Sequence, residues 1–234
     1  MKALVFDTET TSLKPNMLIY DMGWCIGDLN SGEILHKESY LVKSVFDTKA
    51  YEGAWFYADN DSTYRELLKN NEIEILPLKE IRQRFNNCVM EHRPEVIAAF
   101  NIDFDVRALN ASYKQLLKGT RLMDLDNLKN KGFIIMDIPL VFSHSLANKA
   151  YVEWAIRTGR RTPAGHIKTT VEAILNYILM DEYKESHTAG QDAIDEFKIL
   201  YESYLNVTNE LYLTEKRKPW KIIKDQYYHL YKDK

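Results

Sequence analysis

The stretch "LVFDTETTSL" (residues 4–13) places two acids in a segment that otherwise has the composition of a buried β-strand. We predict a first strand over about residues 1–6, with Asp7 and Glu9 at its end. Residues two apart in a strand face the same side, so the two carboxylates would point together and Thr8 would turn away. Such a pair is costly to desolvate unless a cation lies between the carboxylates. The alternative at this point is a solvated strand end with two acids of no special role.

Length and composition indicate one soluble globular domain, with or without a small appendage. The chain has 234 residues, of which 45% are hydrophobic and 28% charged. It has no apolar run long enough to cross a membrane and no signal peptide, so we expect a cytoplasmic protein with no membrane partner. The net charge of −3 argues against global attraction to nucleic acid, but not against local basic patches. Cys25 and Cys88 are expected to be reduced packing residues without redox chemistry.

The predicted fold class is α/β, with a mixed sheet of an antiparallel hairpin and parallel strands, flanked by helices. Hydrophobic periodicity and turn residues predict a hairpin over 17–29 and 33–42, a helix over 76–93, a strand over 95–100, a helix over 104–119 closed by Gly119, a strand and turn over 132–142, and helices near 168–180 and 188–205. Residues 44–64 read as an irregular loop, either facing the substrate or held on the core by its aromatic side chains. We predict a domain over 1–206 and a basic, aromatic extension over 207–234 that packs on it.

A third acid follows the predicted strand over 95–100, in "AAFNIDFDVRAL" (98–109). Asp105 falls in the first turn of the next helix, at the carboxyl end of a sheet strand, where sites of α/β proteins gather. Asp103 is expected only to cap that helix and to suit its dipole. Taken alone, Asp105 could have the same role.

A fourth acid and a histidine lie in "SHTAGQDAIDEF" (186–197). Thr188 and Gln191 fit a capping box, which would start a helix near residue 189. His187 would then lie just before the helix and Asp192 in its early turns. Taken alone, they read as a surface histidine and an acid that suits the helix dipole.

The three segments together resemble the signature segments of the DEDDh family of 3′–5′ exonucleases over roughly residues 4–200. "DTETT", "FNIDFD" and "HTAGQD" occur in the family's order, each at the edge of a different predicted element. His187 stands five residues before Asp192, as in the histidine subfamily, whereas the tyrosine subfamily would need a tyrosine where Thr188 stands. Ser12 and Phe100 depart from the frequent glycine and histidine of the family. The resemblance implies a ribonuclease H-like fold.

The resemblance also implies the catalytic and metal-binding residues and their roles. It carries the metal ligands onto Asp7, Glu9, Asp105 and Asp192, with two Mg²⁺ or Mn²⁺ ions as cofactors. In this scheme Asp7 bridges the ions, Glu9 and Asp192 serve the ion that activates water, and Asp105 serves the ion on the leaving side. Oxygen ligands without cysteine suit Mg²⁺ or Mn²⁺ better than Zn²⁺. His187 would be the general base.

The substrate-binding residues are inferred less directly. The resemblance places Thr10 and Leu13 against the terminal nucleotide, as a hydroxyl contact and an apolar wedge, and Asn101 against the strand. Arg160 and Arg161 belong to a basic stretch, residues 157–168, that would either follow phosphates or form a solvated loop.

The resulting hypothesis is a metal-dependent 3′–5′ exonuclease that releases nucleoside 5′-monophosphates from single-stranded DNA or RNA 3′ ends, with DNA favoured. Proofreading would need a polymerase or replication partner, and a stand-alone enzyme, encoded by a phage and acting in the host cytoplasm, is the more economical reading. One alternative is an oligoribonuclease-like enzyme that acts on short RNA or dinucleotides. Another is a catalytically inactive nucleic-acid-binding module.

Overall fold

A six-stranded mixed sheet forms the centre of the protein in the computed structural model, which describes residues 1–13, 17–54, 57–119, 121–207 and 217–232. The strands are β1 (Lys2–Thr10), β2 (Ile19–Asp28), β3 (Ile34–Val42), β4 (Glu74–Leu76), β5 (Val96–Ala99) and β6 (Ile134–Asp137). The helices are α1 (Lys49–Glu52), α2 (Tyr57–Lys69), α3 (Leu78–His92), α4 (Ile102–Leu117), α5 (Leu125–Asn130), α6 (Ile138–His144), α7 (Lys149–Arg157), α8 (Val171–Leu179), α9 (Ala189–Leu205) and α10 (Pro219–Tyr227), followed by a 3₁₀ turn (Tyr228–Leu230).

The strand order is β4-β3-β2-β1-β5-β6. The β1–β2 and β2–β3 pairs are antiparallel, and the β3–β4, β1–β5 and β5–β6 pairs are parallel. This topology confirms the predicted mixed sheet flanked by helices. Strand β5 pairs with β1 only along residues 3–5, whereas β2 follows β1 as far as Thr10. The last part of β1 therefore extends beyond β5, next to the start of α4.

Helices cover both faces of the sheet, and alternate residues of β1 contact different layers. Leu4 and Phe6 pack in the cluster that includes α3 and α4. Ala3 and Val5 pack in the cluster that includes α6, α8, α9 and α10. Because side chains alternate along a strand, the odd-numbered residues that follow Val5 face α9 and the even-numbered ones face α4.

Helix α9 lies very close to β2 because glycine occupies the contact. A Cβ atom on Gly23 would lie 2.3 Å from the carbonyl carbon of Ala189, at the first turn of α9. On the helix side, a Cβ atom on Gly190 would lie 2.7 Å from Cβ of Ser39 on β3. The absence of side chains at these two positions allows the start of α9 to rest on the sheet beside the end of β1.

Several local predictions were wrong. The stretch over 44–64 is not wholly irregular, since it contains α1 and the beginning of α2, and residues 55–56 lie outside the described residues. Strand β1 continues to Thr10 rather than ending near residue 6. Helix α4 ends at Leu117, and its C-cap residue, Lys118, adopts the left-handed conformation itself (φ 51°). Gly119 instead accommodates Tyr113, whose ring would lie 1.9 Å from an added Cβ atom. The strand β6 is followed by a helix, α6, rather than a turn.

The described part of the C-terminal segment, 217–232, packs against the α9 side of the sheet. Ile222, Ile223 and Tyr231 are buried in that cluster. The Trp220 ring stacks on His166 with a centroid distance of 4.2 Å. The domain boundary at residues 206–207 stays a prediction. Within the described ranges, no helix is long and apolar enough to span a bilayer.

Candidate active site

The first acid pair lies within β1 itself. Asp7 and Glu9 are half-buried and pair in register with Gly23 and Asp21 of β2. Both occupy odd-numbered positions, so both carboxylates face the side of the sheet that α9 covers. The strand geometry thus directs the pair toward the third signature segment.

The buried Asp105 carboxylate is fixed on β1 by a residue that the sequence prediction left out. Oδ1 of Asp105 accepts two hydrogen bonds from Thr8, one from the backbone N–H at 3.1 Å and one from the side-chain hydroxyl at 2.8 Å. Thr8 does turn away from Asp7 and Glu9, and this orientation brings it to α4. Asp137 holds the start of α4, because its Oδ1 accepts from the backbone N–H groups of Asn101 (2.8 Å) and Ile102 (3.2 Å).

Helix α9 brings the last acid and the histidine to the same place. Asp192 is buried in its first turn, and its Oδ1 accepts a hydrogen bond from the Ser186 hydroxyl at 3.2 Å. One carboxylate oxygen each from Glu9 and Asp192 and one ring nitrogen of His187 lie within 4.8 Å of one another. These three groups could therefore share one metal ion and its water.

The predicted capping box at the start of α9 does not form. The Thr188 side chain caps no backbone group, and Nε2 of Gln191 donates to Asp195 instead, at 3.0 Å. The cap comes from β2, where Oδ2 of Asp21 accepts the backbone N–H of Ala189 at 2.9 Å. A carboxylate at a helix N-terminus satisfies an orphan donor and suits the dipole.

Asp21 is completely buried and joins α9 to two further elements. It accepts hydrogen bonds from the Tyr64 hydroxyl at 2.8 Å and from the Ser39 hydroxyl at 3.1 Å. Burial raises the pKa of Asp21 to about 6, although these hydrogen bonds oppose the rise. Donors from α9, α2 and β3 thus hold this carboxylate in place.

The backbone of His187 is held in an uncommon conformation by α2. Its φ of 54° lies in the left-handed region, which costs a non-glycine residue on the order of 1 kcal/mol. Its carbonyl oxygen accepts hydrogen bonds from Nδ2 of Asn60 at 2.5 Å and from the Tyr64 hydroxyl at 3.4 Å. The segment expected to be an irregular loop thus contains two side chains that fix the peptide of the histidine.

The acids of the cluster raise one another's pKa values. Burial, followed by repulsion from Glu196, raises the pKa of Asp7 well above its ordinary value. Burial and then repulsion from Asp192 do the same for Glu9. Burial is also the main reason why the pKa of Asp105 rises to about 7 and that of Asp192 to about 8. Without a cation, the cluster holds protons that ordinary carboxyl groups lose by neutral pH.

A fifth buried acid, Glu196, belongs to this cluster and was not predicted. It lies one turn after Asp192 on α9, and its Oε2 accepts the backbone N–H of Phe100 at 3.0 Å. Burial, then repulsion from Asp105, raises its pKa well above the ordinary value. Glu196 lies four residues after Asp192 and therefore on the same face of α9. This spacing is visible in the sequence and could have predicted that Glu196 joins the cluster.

The expected substrate-binding residues fall into two groups. Thr10 and Leu13 follow the acid pair directly; the Thr10 hydroxyl donates to the Ser12 carbonyl at 3.0 Å, and Leu13 is 76% exposed. Asn101 is exposed at the start of α4. Two basic residues have contacts outside the acidic cluster: Nη1 of Arg160 lies 3.6 Å from Glu172, and the guanidinium of Arg161 lies 5.6 Å from the ring centroid of Tyr231.

The donor set fits hard divalent cations. Asp7, Glu9, Asp105 and Asp192 offer carboxylate oxygens, which Mg²⁺ and Mn²⁺ prefer. The raised pKa values explain why this site favours a cation. Repulsion between the carboxylates disfavours their ionised forms, and a bound cation would remove that repulsion.

The fold is the one seen in solved DEDDh exonuclease domains, as the sequence resemblance predicted. No protein-family profile matches the chain, and no curated protein sequence matches it. Solved structures do match. The nuclease domain of 3′hExo, a DEDDh family member bound to rAMP, superposes with a TM-score of 0.58 at 10% identity, over 87% of this chain and 92% of that domain.

Two exonucleases of greater length also match. Exonuclease I of E. coli in complex with a dT13 oligonucleotide gives a TM-score of 0.53 at 13% identity, over 88% of this chain and 41% of that one. Exonuclease I of Methylocaldum szegediense gives 0.54 at 15% identity, over 97% and 43%. This chain therefore spans less than half the length of either Exonuclease I and most of the 3′hExo domain. At these identities the likeness establishes the fold alone.

Proposed function

We propose that this protein is a metal-dependent 3′–5′ exonuclease that releases nucleoside 5′-monophosphates from single-stranded nucleic acid, with DNA favoured over RNA. The observation that carries the proposal is the convergence of carboxylates from β1, α4 and α9 beside one histidine. The fold supports it, since E. coli Exonuclease I, which shares this fold, is known in complex with a DNA oligonucleotide.

In the proposed reaction, Asp7, Glu9, Asp105 and Asp192 would hold two Mg²⁺ or Mn²⁺ ions. The bound ions would supply positive charge that activates water and stabilises the phosphoryl and leaving oxygens. Asp7 would be a ligand shared by both ions, since its carboxylate is within electrostatic range of Asp105, on α4, and Asp192, on α9. Glu9 and Asp192, which group with His187, would serve the ion that activates water, and Asp105 would serve the ion on the leaving side.

His187 is the proposed general base. It accepts a proton from the water that attacks the terminal phosphodiester, the bond from phosphorus to the 3′ oxygen breaks, and that oxygen leaves with a proton from solvent. The hydrogen bonds from Asn60 and Tyr64 to the His187 carbonyl fix the position from which the imidazole acts.

The residues after the acid pair would bind the strand end. Leu13 exposes a large apolar side chain that could stack against the last base, and Thr10 lies within three residues of it. Stacking of this kind tolerates any base and favours an unpaired end. Asn101, Arg160 and Arg161 would contact the upstream backbone, the two arginines by exchanging their internal contacts with Glu172 and Tyr231 for phosphates.

The test uses matched 5′-labelled DNA and RNA single strands of several lengths, with Mg²⁺ or Mn²⁺. Asp105→Asn removes a proposed ligand, and Asp103→Asn is its control, since Asp103 is an exposed acid two residues earlier on the same helix. We expect a ladder shortened from the 3′ end that is retained in the Asp103 variant and lost in the Asp105 variant. Strands that bind without being shortened would refute the enzyme and indicate a binding module. Cleavage confined to two- or three-nucleotide RNA would indicate an oligoribonuclease-like enzyme.

A second variant isolates the general base. His187→Ala should reduce turnover by roughly 10²–10⁴-fold. Mn²⁺ binding, followed by calorimetry, should persist because the four carboxylates remain. Full activity of this variant would exclude His187 as the base.

A further inference from the structure

A second group of potential metal ligands lies on the opposite face of the sheet from α9. His36 belongs to β3, and Cys88 and His92 belong to α3. A ring nitrogen of each histidine and the Cys88 sulfur lie within 4.8 Å of one another. The two imidazole rings are 4.8 Å apart between centroids and inclined by 31°. The proposed nuclease chemistry uses none of these groups.

Local geometry explains why the three side chains meet. Cys88 and His92 are four residues apart on a helix and therefore share a face. His36 and Glu38 are two residues apart on a strand and also share a face, which α3 covers. In a tetrahedral zinc site, Zn–S and Zn–N bonds of about 2.3 and 2.0–2.1 Å place ligand atoms roughly 3.5 Å apart. Side-chain rotations that move the ligand atoms by about an ångström would bring them from their present separations to that spacing.

Glu38 hydrogen-bonds one of the two histidines. Its Oε1 lies 2.6 Å from Nε2 of His36, and its Oε2 accepts the Tyr40 hydroxyl at 2.8 Å. A carboxylate that bonds to a metal-binding histidine orients the imidazole ring. The metal ligands are therefore one sulfur and two nitrogens, all of which Zn²⁺ accepts.

The surroundings of the Cys88 sulfur suit a bound thiolate. The side chain of Trp24 lies against the Cys88 sulfur. The indole Nε1 of Trp24 is buried and has no hydrogen-bond acceptor of ordinary geometry within the described residues. A thiolate at Cys88 would give that N–H an acceptor, and a metal ion would stabilise the thiolate by displacing its proton.

We propose that His36, Cys88 and His92 bind a borderline-soft divalent metal ion of the Zn²⁺ class, with Glu38 orienting His36. The sulfur and imidazole ligands disfavour Mg²⁺, so this site and the carboxylate centre select different ions. Strand β4 pairs with β3 only at residues 40–42, and His36 and Glu38 lie beyond that pairing. A metal ion bound here would tie this part of β3 to the last turns of α3.

Cobalt provides a direct test, because only cysteine coordination produces a thiolate-to-metal charge-transfer absorption in the near ultraviolet. The full chain is stripped of metal, kept reduced and titrated with Co²⁺. The matched control is Cys25→Ser, since Cys25 is the chain's other cysteine, buried elsewhere with its sulfur donating to the Ala193 carbonyl. Asp192→Asn controls for Co²⁺ bound at the carboxylate centre.

We expect one equivalent of Co²⁺ to produce the band in the wild type, in Cys25→Ser and in Asp192→Asn, and Cys88→Ser to lack it. His92→Ala retains the thiol and should weaken Co²⁺ binding at least tenfold, which keeps the test decisive if Cys88→Ser does not fold. At a free concentration of about a hundred times the wild-type Kd, Zn²⁺ should raise the wild-type Tm by roughly 5–10 °C and that of His92→Ala by no more than about half as much. Absence of the band in the wild type, or its persistence in Cys88→Ser, would overturn the proposal.

Discussion

Replacing Asp192 by asparagine should make the metal-free protein more stable at alkaline pH while it removes activity. The pKa of Asp192 rises from the ordinary value of 3.8 to about 8, mainly through burial and then through repulsion from Glu185. When folding raises the pKa of an acid, the acid contributes to the stability of the folded state at a pH below the pKa that it has in the unfolded chain. This contribution is lost as the pH rises through the pKa that the acid has in the folded protein. Asparagine has nearly the same shape and no charge, so the variant should not suffer this loss.

The size of the effect follows from the shift. One pKa unit corresponds to about 1.4 kcal/mol, so the cost of ionising buried Asp192 approaches about 5 kcal/mol at pH 8 and stays below about 2 kcal/mol at pH 5. The stability advantage of Asp192→Asn should therefore grow by about 3 kcal/mol over this interval. For a domain of this length, that corresponds to roughly 6–12 °C in Tm.

The assay is thermal unfolding in the presence of EDTA at several pH values between about 5 and 8, with Asp103→Asn as the control for loss of an exposed acid. Adding Mn²⁺ should then stabilise the wild type more than Asp192→Asn, because the variant has lost a ligand. If Asp192→Asn has the same pH dependence as the wild type, or if it is the less stable protein at pH 8, then Asp192 does not carry the repulsion that we assign to it.

Three further changes test how the site is built. Gly23→Ala should cost about 1–3 kcal/mol, because the new Cβ atom would meet the backbone of Ala189, and unchanged thermal unfolding and activity would contradict the close contact. Asn60→Ala should lower kcat about tenfold or more with little change in KM, since it removes a hydrogen bond to the His187 carbonyl but no substrate contact; an unchanged kcat would show that this bond does not position the base. Leu13→Ala should raise KM for single strands and leave Tm unaltered, because the side chain is exposed, whereas an equal KM would count against stacking on the last base.

The parts of the fold that the sequence predicted depend on local patterns. Segments rich in β-forming residues and the "NSG" turn identified the β2–β3 hairpin, and helical periodicity identified α3, α4, α8 and α9. The acid pair of β1 followed from the two-residue period of a strand. That Asp105 and Asp192 would lie beside it required the resemblance to a known family, because no local pattern determines which helix ends meet.

The features that the sequence did not predict depend on distant contacts. Asp21 caps α9 from a position 168 residues earlier in the chain, and this requires β2 to lie under that helix, as glycine at position 23 allows. The polar segment "YADNDSTYRELLK" has too few apolar positions to indicate a helix from the sequence. It nevertheless forms α2, and the side chains of Asn60 and Tyr64 on this helix are buried in the protein. Propensity and periodicity carry no information on such pairings.

The wide separation of the site residues along the chain bears on biosynthesis. Thr8 and Asp105 are joined across 97 residues, and α9, which holds Asp192, packs on strands from the first thirty residues of the chain. During synthesis on the ribosome, β1 and its two acids emerge long before α9, and contacts between such distant segments are slow to form. A nascent chain shorter than about 190 residues would therefore lack the complete acidic cluster. The proposed nuclease activity could arise near the translating ribosome only after most of the fold exists.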